Sequence, residues 1–192
     1  MKVLMINGSR REKGCTYTAL EIIGSKLKEE GIDYEILYIG DKVLNGDIDE
    51  TVKLAKEKMA EADGLVVGSP VYYASPSGEV LAFLDRFWAV SGAELMYKPA
   101  ASITSARRAG TTASLDVLNK YFMFSQMPVI SSNYWNMVHG NTPEDVMKDL
   151  EGVQIMENIG KNMAWILKGI DNGSKNGIEK PVADKKIFTN FI

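Results

Sequence analysis

Val3-Leu4-Met5-Ile6 is an apolar run with no polar alternation, and it feeds directly into the glycine turn Asn7-Gly8-Ser9. A strand without a polar face has to be covered on both sides, which places it centrally in a parallel sheet flanked by helices. The rest of the chain alternates short apolar runs with longer amphipathic stretches, the pattern of β-α units wound around such a sheet. Residues 16–30 carry Leu20, Ile23 and Leu27 at helical spacing, with Gly31 as the stop. Residues 34–39 predict a second strand, 48–62 a second helix and Leu65-Val66-Val67 a third strand. Ser75-Pro76 reads as a cap and first-turn proline opening a helix with a wide apolar face of Val80, Leu81, Leu84, Phe87 and Trp88. Residues 100–104 follow as a fourth strand, 115–124 as a helix and Val129-Ile130 as a short fifth strand. Thr142-Pro143-Glu144-Asp145 opens a last helix to about Lys168, opposed by Gly152 and Gly160 inside it. The expected fold is a three-layer α/β sandwich with a five-stranded parallel sheet in the order 2-1-3-4-5.

The length of 192 residues suits one domain over the whole chain, with residues 171–192 as an extended C-terminal tail. Hydrophobic residues at 45% and charged residues at 24% suit neither a disordered chain nor a membrane protein. No apolar run approaches the roughly 18 residues of a membrane helix. The net charge of −3 offers no basic field for nucleic acid, so a small molecule is the expected partner. Cys15 is the only cysteine, which rules out an internal disulfide and an all-cysteine metal or iron–sulfur site. With no signal-peptide pattern at the start, a cytoplasmic setting is expected.

In the predicted strand order the ligand crevice lies at the carboxyl ends of strands 1 and 3, so the chemistry belongs in the loops after strands 1, 3 and 4. The first, from Ser9 to Thr18, is punctuated by glycine and enters a helix. Backbone N–H groups, the helix dipole, the hydroxyls of Ser9, Thr16 and Thr18, and the Arg11 cation make it a candidate phosphate cradle, with Tyr17 in the same turn. The alternative is a solvated turn capped by Thr16. Rival phosphate motifs fail: no lysine follows Gly14 as a Walker loop needs, and position 10 is Arg10 where a dinucleotide fingerprint has glycine. A phosphatase loop built on Cys15 needs an arginine six residues on, where Glu21 stands. Cys15 is therefore read as a small residue presenting its backbone N–H.

Asn7-Gly8-Ser9-Arg10-Arg11, then Gly68-Ser69-Pro70-Val71-Tyr72-Tyr73-Ala74-Ser75-Pro76-Ser77-Gly78 leading to Leu84-Asp85-Arg86, resembles the NAD(P)H-dependent FMN reductase and iron–sulfur flavoprotein families of the flavodoxin-like superfamily. Arg10 stands where those families usually have proline and Cys15 where they have asparagine. The resemblance implies a flavodoxin-like fold, FMN as cofactor and NAD(P)H as electron donor. It also implies a small-molecule electron acceptor such as free flavin or a quinone. It implies phosphate contacts at Ser9, Arg11, Cys15, Thr16, Tyr17 and Thr18, and a ring wall of Pro70, Val71, Tyr72, Tyr73 and Ser75. The third loop, with Thr104, Ser105, Ala106, Arg107 and Gly110, would border the ring's pyrimidine edge, and Arg108 would meet a phosphate of the donor. The iron–sulfur members carry a cysteine cluster between the second strand and second helix, yet residues 41–49 contain none, so a cluster-free relative is expected. Hydride chemistry of this kind needs no catalytic side chain. His139 is left either as a proton donor near the ring or as an ordinary loop histidine. A homodimer or homotetramer is expected, from the excess apolar surface of the helix bearing Phe83, Phe87 and Trp88, with the aromatic tail completing a partner's pocket.

Overall fold

The structure is a computed structural model that describes residues 1–185 and 187–189. Its elements in chain order are β1 (Lys2–Asn7), α1 (Cys15–Glu29), β2 (Asp33–Tyr38), α2 (Gly40–Leu44), α3 (Ile48–Glu61), β3 (Gly64–Tyr72), β4 (Ser75–Pro76), α4 (Gly78–Val90), α5 (Gly92–Leu95), β5 (Ala100–Ala106), α6 (Thr111–Phe124), β6 (Met137–His139), α7 (Pro143–Val146) and α8 (Leu150–Lys175). Five strands run parallel in the order β2-β1-β3-β5-β6. This is the expected order, with a two-residue hairpin strand, β4, paired antiparallel to the end of β3.

The apolar run in β1 is explained by its two faces. Leu4 and Ile6 join Val80, Phe83 and Phe87 in one core, while Val3 and Met5 join Ile23, Ile159 and Met163 in the other. Helices α3, α4 and α6 cover the first face, and α1 and α8 the second. None of the described residues forms a helix long and apolar enough to cross a membrane.

Four expectations are corrected. Ser75-Pro76 is strand, because Tyr73 and Ala74 adopt left-handed backbone (φ 51° and 59°) and fold the chain back onto Val71 and Tyr72. The cap of α4 is instead Ser77, whose Oγ accepts from the Val80 N–H (3.3 Å). Val129 makes only a bridge to Ala100. Residues 131–136 then lie along α8, held by Ser132 Oγ donating to Ile155 O (2.9 Å), before the chain returns as β6, whose last residue is His139. The last helix is split into α7 and α8 by residues 147–149, and it runs through Gly152 and Gly160 to Lys175. Gly152 sits in a first turn capped by Asp149 (3.0 Å), and Gly160 is where α8 meets α1, since a Cβ there would stand 2.8 Å from Ile23 O. Finally, the apolar face of α4 is consumed within its own core: Phe83 and Phe87 are fully buried, and Trp88 packs edge-on against Phe87 and Tyr121. Of the aromatic tail, Ile187 and Phe188 are exposed, while Phe191 and Ile192 lie outside the described residues.

Candidate functional site

The turn from β1 into α1 is organised by Asn7, whose Nδ2 donates to Glu12 O (2.7 Å) and whose Oδ1 accepts from the Ser9 N–H (3.2 Å). Ser9 Oγ accepts from the Arg11 N–H (3.1 Å). Helix α1 starts after Gly14 with no side-chain cap, and its first internal bond runs from Thr18 N to Gly14 O (3.0 Å). The N–H groups of Cys15, Thr16 and Tyr17 are thereby left without an intrahelical acceptor. A Cβ on Gly14 would stand 3.6 Å from Ser9 Oγ and 3.0 Å from the Arg11 Cβ, so the turn lies close against the helix start. An uncapped helix start, a serine hydroxyl with a proton to donate and a nearby guanidinium suit a phosphate.

The three expected hydroxyls are not equivalent. Thr16 is buried, with Oγ1 2.8 Å from Ser105 Oγ, so this pair keeps one hydrogen beyond the bond it shares. Thr18 Oγ1 donates to Gly14 O (3.2 Å). Ser9 Oγ only accepts, and its hydroxyl proton has no acceptor among the described residues.

The Thr16–Ser105 bond joins the first loop to the end of β5, and two further contacts bring in the hairpin. Ser77 Oγ donates to Gly8 O (3.1 Å), and a Cβ on Gly110 (φ 101°) would stand 2.7 Å from the Ala74 Cα and 3.0 Å from Val71 Cγ1. The three loops therefore meet at one end of the sheet. Pro70 is buried and Val71 and Ser75 are half-buried, whereas Tyr72 is exposed and Tyr73 completely so. Thr104, Ser105 and Ala106 are buried along β5, the Thr104 hydroxyl lacks a partner among the described residues, and Arg107 is exposed.

Sequence reasoning gave no role to Asn7, Ser77 or Glu79. Glu79 is a buried acid in the first turn of α4, and its Oε1 accepts from Arg10 Nε at 2.5 Å. Burial raises the Glu79 pKa, but its backbone hydrogen bond and the Arg10 guanidinium outweigh that and hold it below the ordinary carboxylate value. The available signal was Ser-Gly-Glu following a proline, a capping pattern two residues beyond Ser75.

Burial raises the Cys15 pKa, so at neutral pH it is a thiol and a poor nucleophile. Its Sγ lies 3.7 Å from Gly140 O. His139 is exposed, and its backbone N–H donates to Asp149 Oδ2 (2.7 Å). Among the described residues no cluster of His, Cys, Asp or Glu could hold a metal ion.

An uncapped helix start, a hairpin with left-handed backbone and a small-residue loop meet at the carboxyl end of a doubly wound sheet, the end at which such folds bind their ligands. The chain belongs to the NADPH-dependent FMN reductase family, which it matches over residues 1–142. It is 30% identical to an iron–sulfur flavoprotein of Methanocaldococcus jannaschii, over 88% of this chain and 98% of that one. It is 32% identical to an NADPH azoreductase of a Bacillus species, over 62% of this chain and 65% of that one. A solved flavodoxin from the domain Archaea superposes with a TM-score of 0.62 at 18% identity, covering 88% of this chain and 99% of the other, and the fold is flavodoxin-like. The protein is thus an FMN-binding oxidoreductase of a family with a nicotinamide electron donor. A cysteine-held iron–sulfur cluster does not fit it, because Cys15 is its only cysteine.

Proposed function

We propose that the crevice holds FMN with its phosphate on Ser9, Arg11 and the N–H groups of Cys15, Thr16 and Tyr17, and that the enzyme reduces a small acceptor at the expense of NAD(P)H. The observation carrying this is the uncapped start of α1 facing an ordered serine–arginine turn, joined to the hairpin and the β5 loop. When bound, FMN supplies hydride chemistry between a nicotinamide donor and a second acceptor. The chain binds and orients. Pro70, Val71, Tyr72, Tyr73 and Ser75 form a wall for the ring, while Thr104, Ser105, Ala106 and Gly110 leave a low profile beside it. Thr18 closes the first turn of the cradle helix, and Arg107 places a fixed positive charge near the ring edge, favouring electron uptake.

The similarity to an NADPH azoreductase makes an azo compound the first acceptor to test, beside quinones and free flavin. Anaerobic titration of the FMN-loaded protein with NADPH and NADH is expected to bleach the flavin absorbance, and adding the acceptor to restore it. Absence of bleaching by either nucleotide, with one-electron reduction by dithionite, would replace the reductase with a flavodoxin-type carrier.

We further propose a homodimer or homotetramer working in the cytoplasm. Exposed Tyr134, Trp135, Met147, Leu150 and Trp165, on α8 and the segments packed beside it, supply apolar surface for association in place of the buried α4 face. Sedimentation of a concentration-independent monomer would refute association.

A further inference from the structure

Arg10 is held by more restraints than a phosphate cradle requires. Its carbonyl accepts from the Tyr38 hydroxyl (2.9 Å), and α2 passes so close that a Cβ on Gly40 would lie 3.1 Å from the Arg10 Cα and 2.1 Å from Ser9 O. Its Nε is bonded to Glu79, whose side chain is only 4% exposed, and its guanidinium carbon stands 5.8 Å from the Tyr72 ring centroid. Its backbone and Nε are held by β2, α2 and α4 and one face of the guanidinium looks toward Tyr72, while the side chain is otherwise 58% exposed and neither Nη has an acceptor among the described residues. Acids are seldom buried unless paired, and of the Arg10 nitrogens Glu79 engages Nε alone.

The guanidinium lines a cleft of about 600 Å³ between α2, the hairpin and α4. Its other walls are largely carbon: Val43, Leu44, Ala82 and the rings of Tyr72 and Tyr73. Leu44 is 54% exposed and Tyr73 fully so, so neither is held there by the demands of the core.

We propose that this cleft binds a flat aromatic molecule carrying an anionic group, its ring against Val43, Leu44 and Ala82 and its anion on the two Nη groups of Arg10. A guanidinium oriented through Nε presents its Nη pair as a fork matched to carboxylate, sulfonate or phosphate. Because Glu79 offsets much of its charge, selection rests on directed hydrogen bonds combined with ring contact. Two sources share this chemistry: an aromatic acid serving as acceptor, and the phosphorylated adenosine end of an NADPH donor. Participation of the ligand in turnover rests on the flavin assignment above; its binding does not.

The test is fluorescence titration of the FMN-loaded protein with anilinonaphthalene sulfonate and with its uncharged analogue, N-phenylnaphthylamine. The anionic probe is expected to bind one per chain and at least about tenfold more tightly than the neutral one. The double variant Arg10→Gln/Glu79→Gln, which keeps a neutral hydrogen-bonded pair in place, should abolish that preference. Leu44→Glu, at an exposed position, should weaken both probes. Displacement of the probe by adenosine 2′-phosphate identifies the donor as source, and displacement by naphthalene sulfonate alone identifies an acceptor. Equal binding of the two probes, or a preference that survives the double variant, would overturn the proposal. If the protein takes up no FMN yet binds the probes as expected, the cleft stands and the flavin assignment falls.

Discussion

Tyr73 and Ala74 are consecutive non-glycine residues in left-handed backbone, each destabilising by about 1 kcal/mol relative to a relaxed turn. Ala74→Gly is expected to raise unfolding free energy by about 1 kcal/mol in urea denaturation. Gly110→Ala should do the reverse and lower FMN affinity, because its Cβ would press on the Ala74 Cα and displace the hairpin. Glu35 offers a pH-dependent test. It is bonded by Lys2 Nζ (2.6 Å) and by Lys58 Nζ, and these bonds hold its pKa below the ordinary 4.5. A depressed folded-state pKa contributes stability above the ordinary value and loses it as pH falls through the folded one. Glu35→Gln should therefore cost up to about 1 kcal/mol at pH 7, with the difference from the parent fading below pH 4.5. At this scale the Ser9–Arg11 turn was legible because its hydrogen bonding is local to one loop. Glu79 was invisible because its meaning depends on Arg10, sixty-nine positions away.

Among the elements, α8 separates propensity from packing. Gly160 faces Ile23 O and the Lys26 side chain, whereas Gly169 has nothing within 4 Å of an added Cβ. Gly169→Ala is expected to stabilise by about 0.5–1 kcal/mol through helix propensity alone. Gly160→Ala should destabilise despite the same propensity gain, since the α1–α8 contact has no room for a methyl group. Thermal unfolding of the two variants reads both signs. The sequence-level view of α8 erred for this reason: a glycine that weakens a helix in isolation permits its closest tertiary contact. Helix α1, the strand order and the double burial of β1 were legible because periodicity and apolar runs are local signals. Strand β6 was not, because its three residues are less strand-like than Val129-Ile130, and only the path of residues 131–136 along α8 decides which segment pairs.

For the whole molecule, cofactor binding and stability are linked, since FMN binds the folded protein and not the unfolded chain. At FMN concentrations a hundredfold above Kd the protein should gain about 2.7 kcal/mol of stability, visible as a rise in Tm. Ser9→Ala should reduce that rise by weakening FMN about tenfold, while the apo protein unfolds within about 1 kcal/mol of the parent. The crevice occupies one end of the sheet, and the opposite end holds other assets. Lys2 opens β1 there, and Lys168 on α8 pairs with Glu30 just past the end of α1 (2.5 Å). Both the start of β1 and the last turns of α8 thus lie at the end of the sheet opposite the crevice. A chain anchored by its first residue to an electrode or bead would present its crevice outward, ready to exchange electrons with dissolved substrates, and immobilised protein should retain the FMN content of the free form.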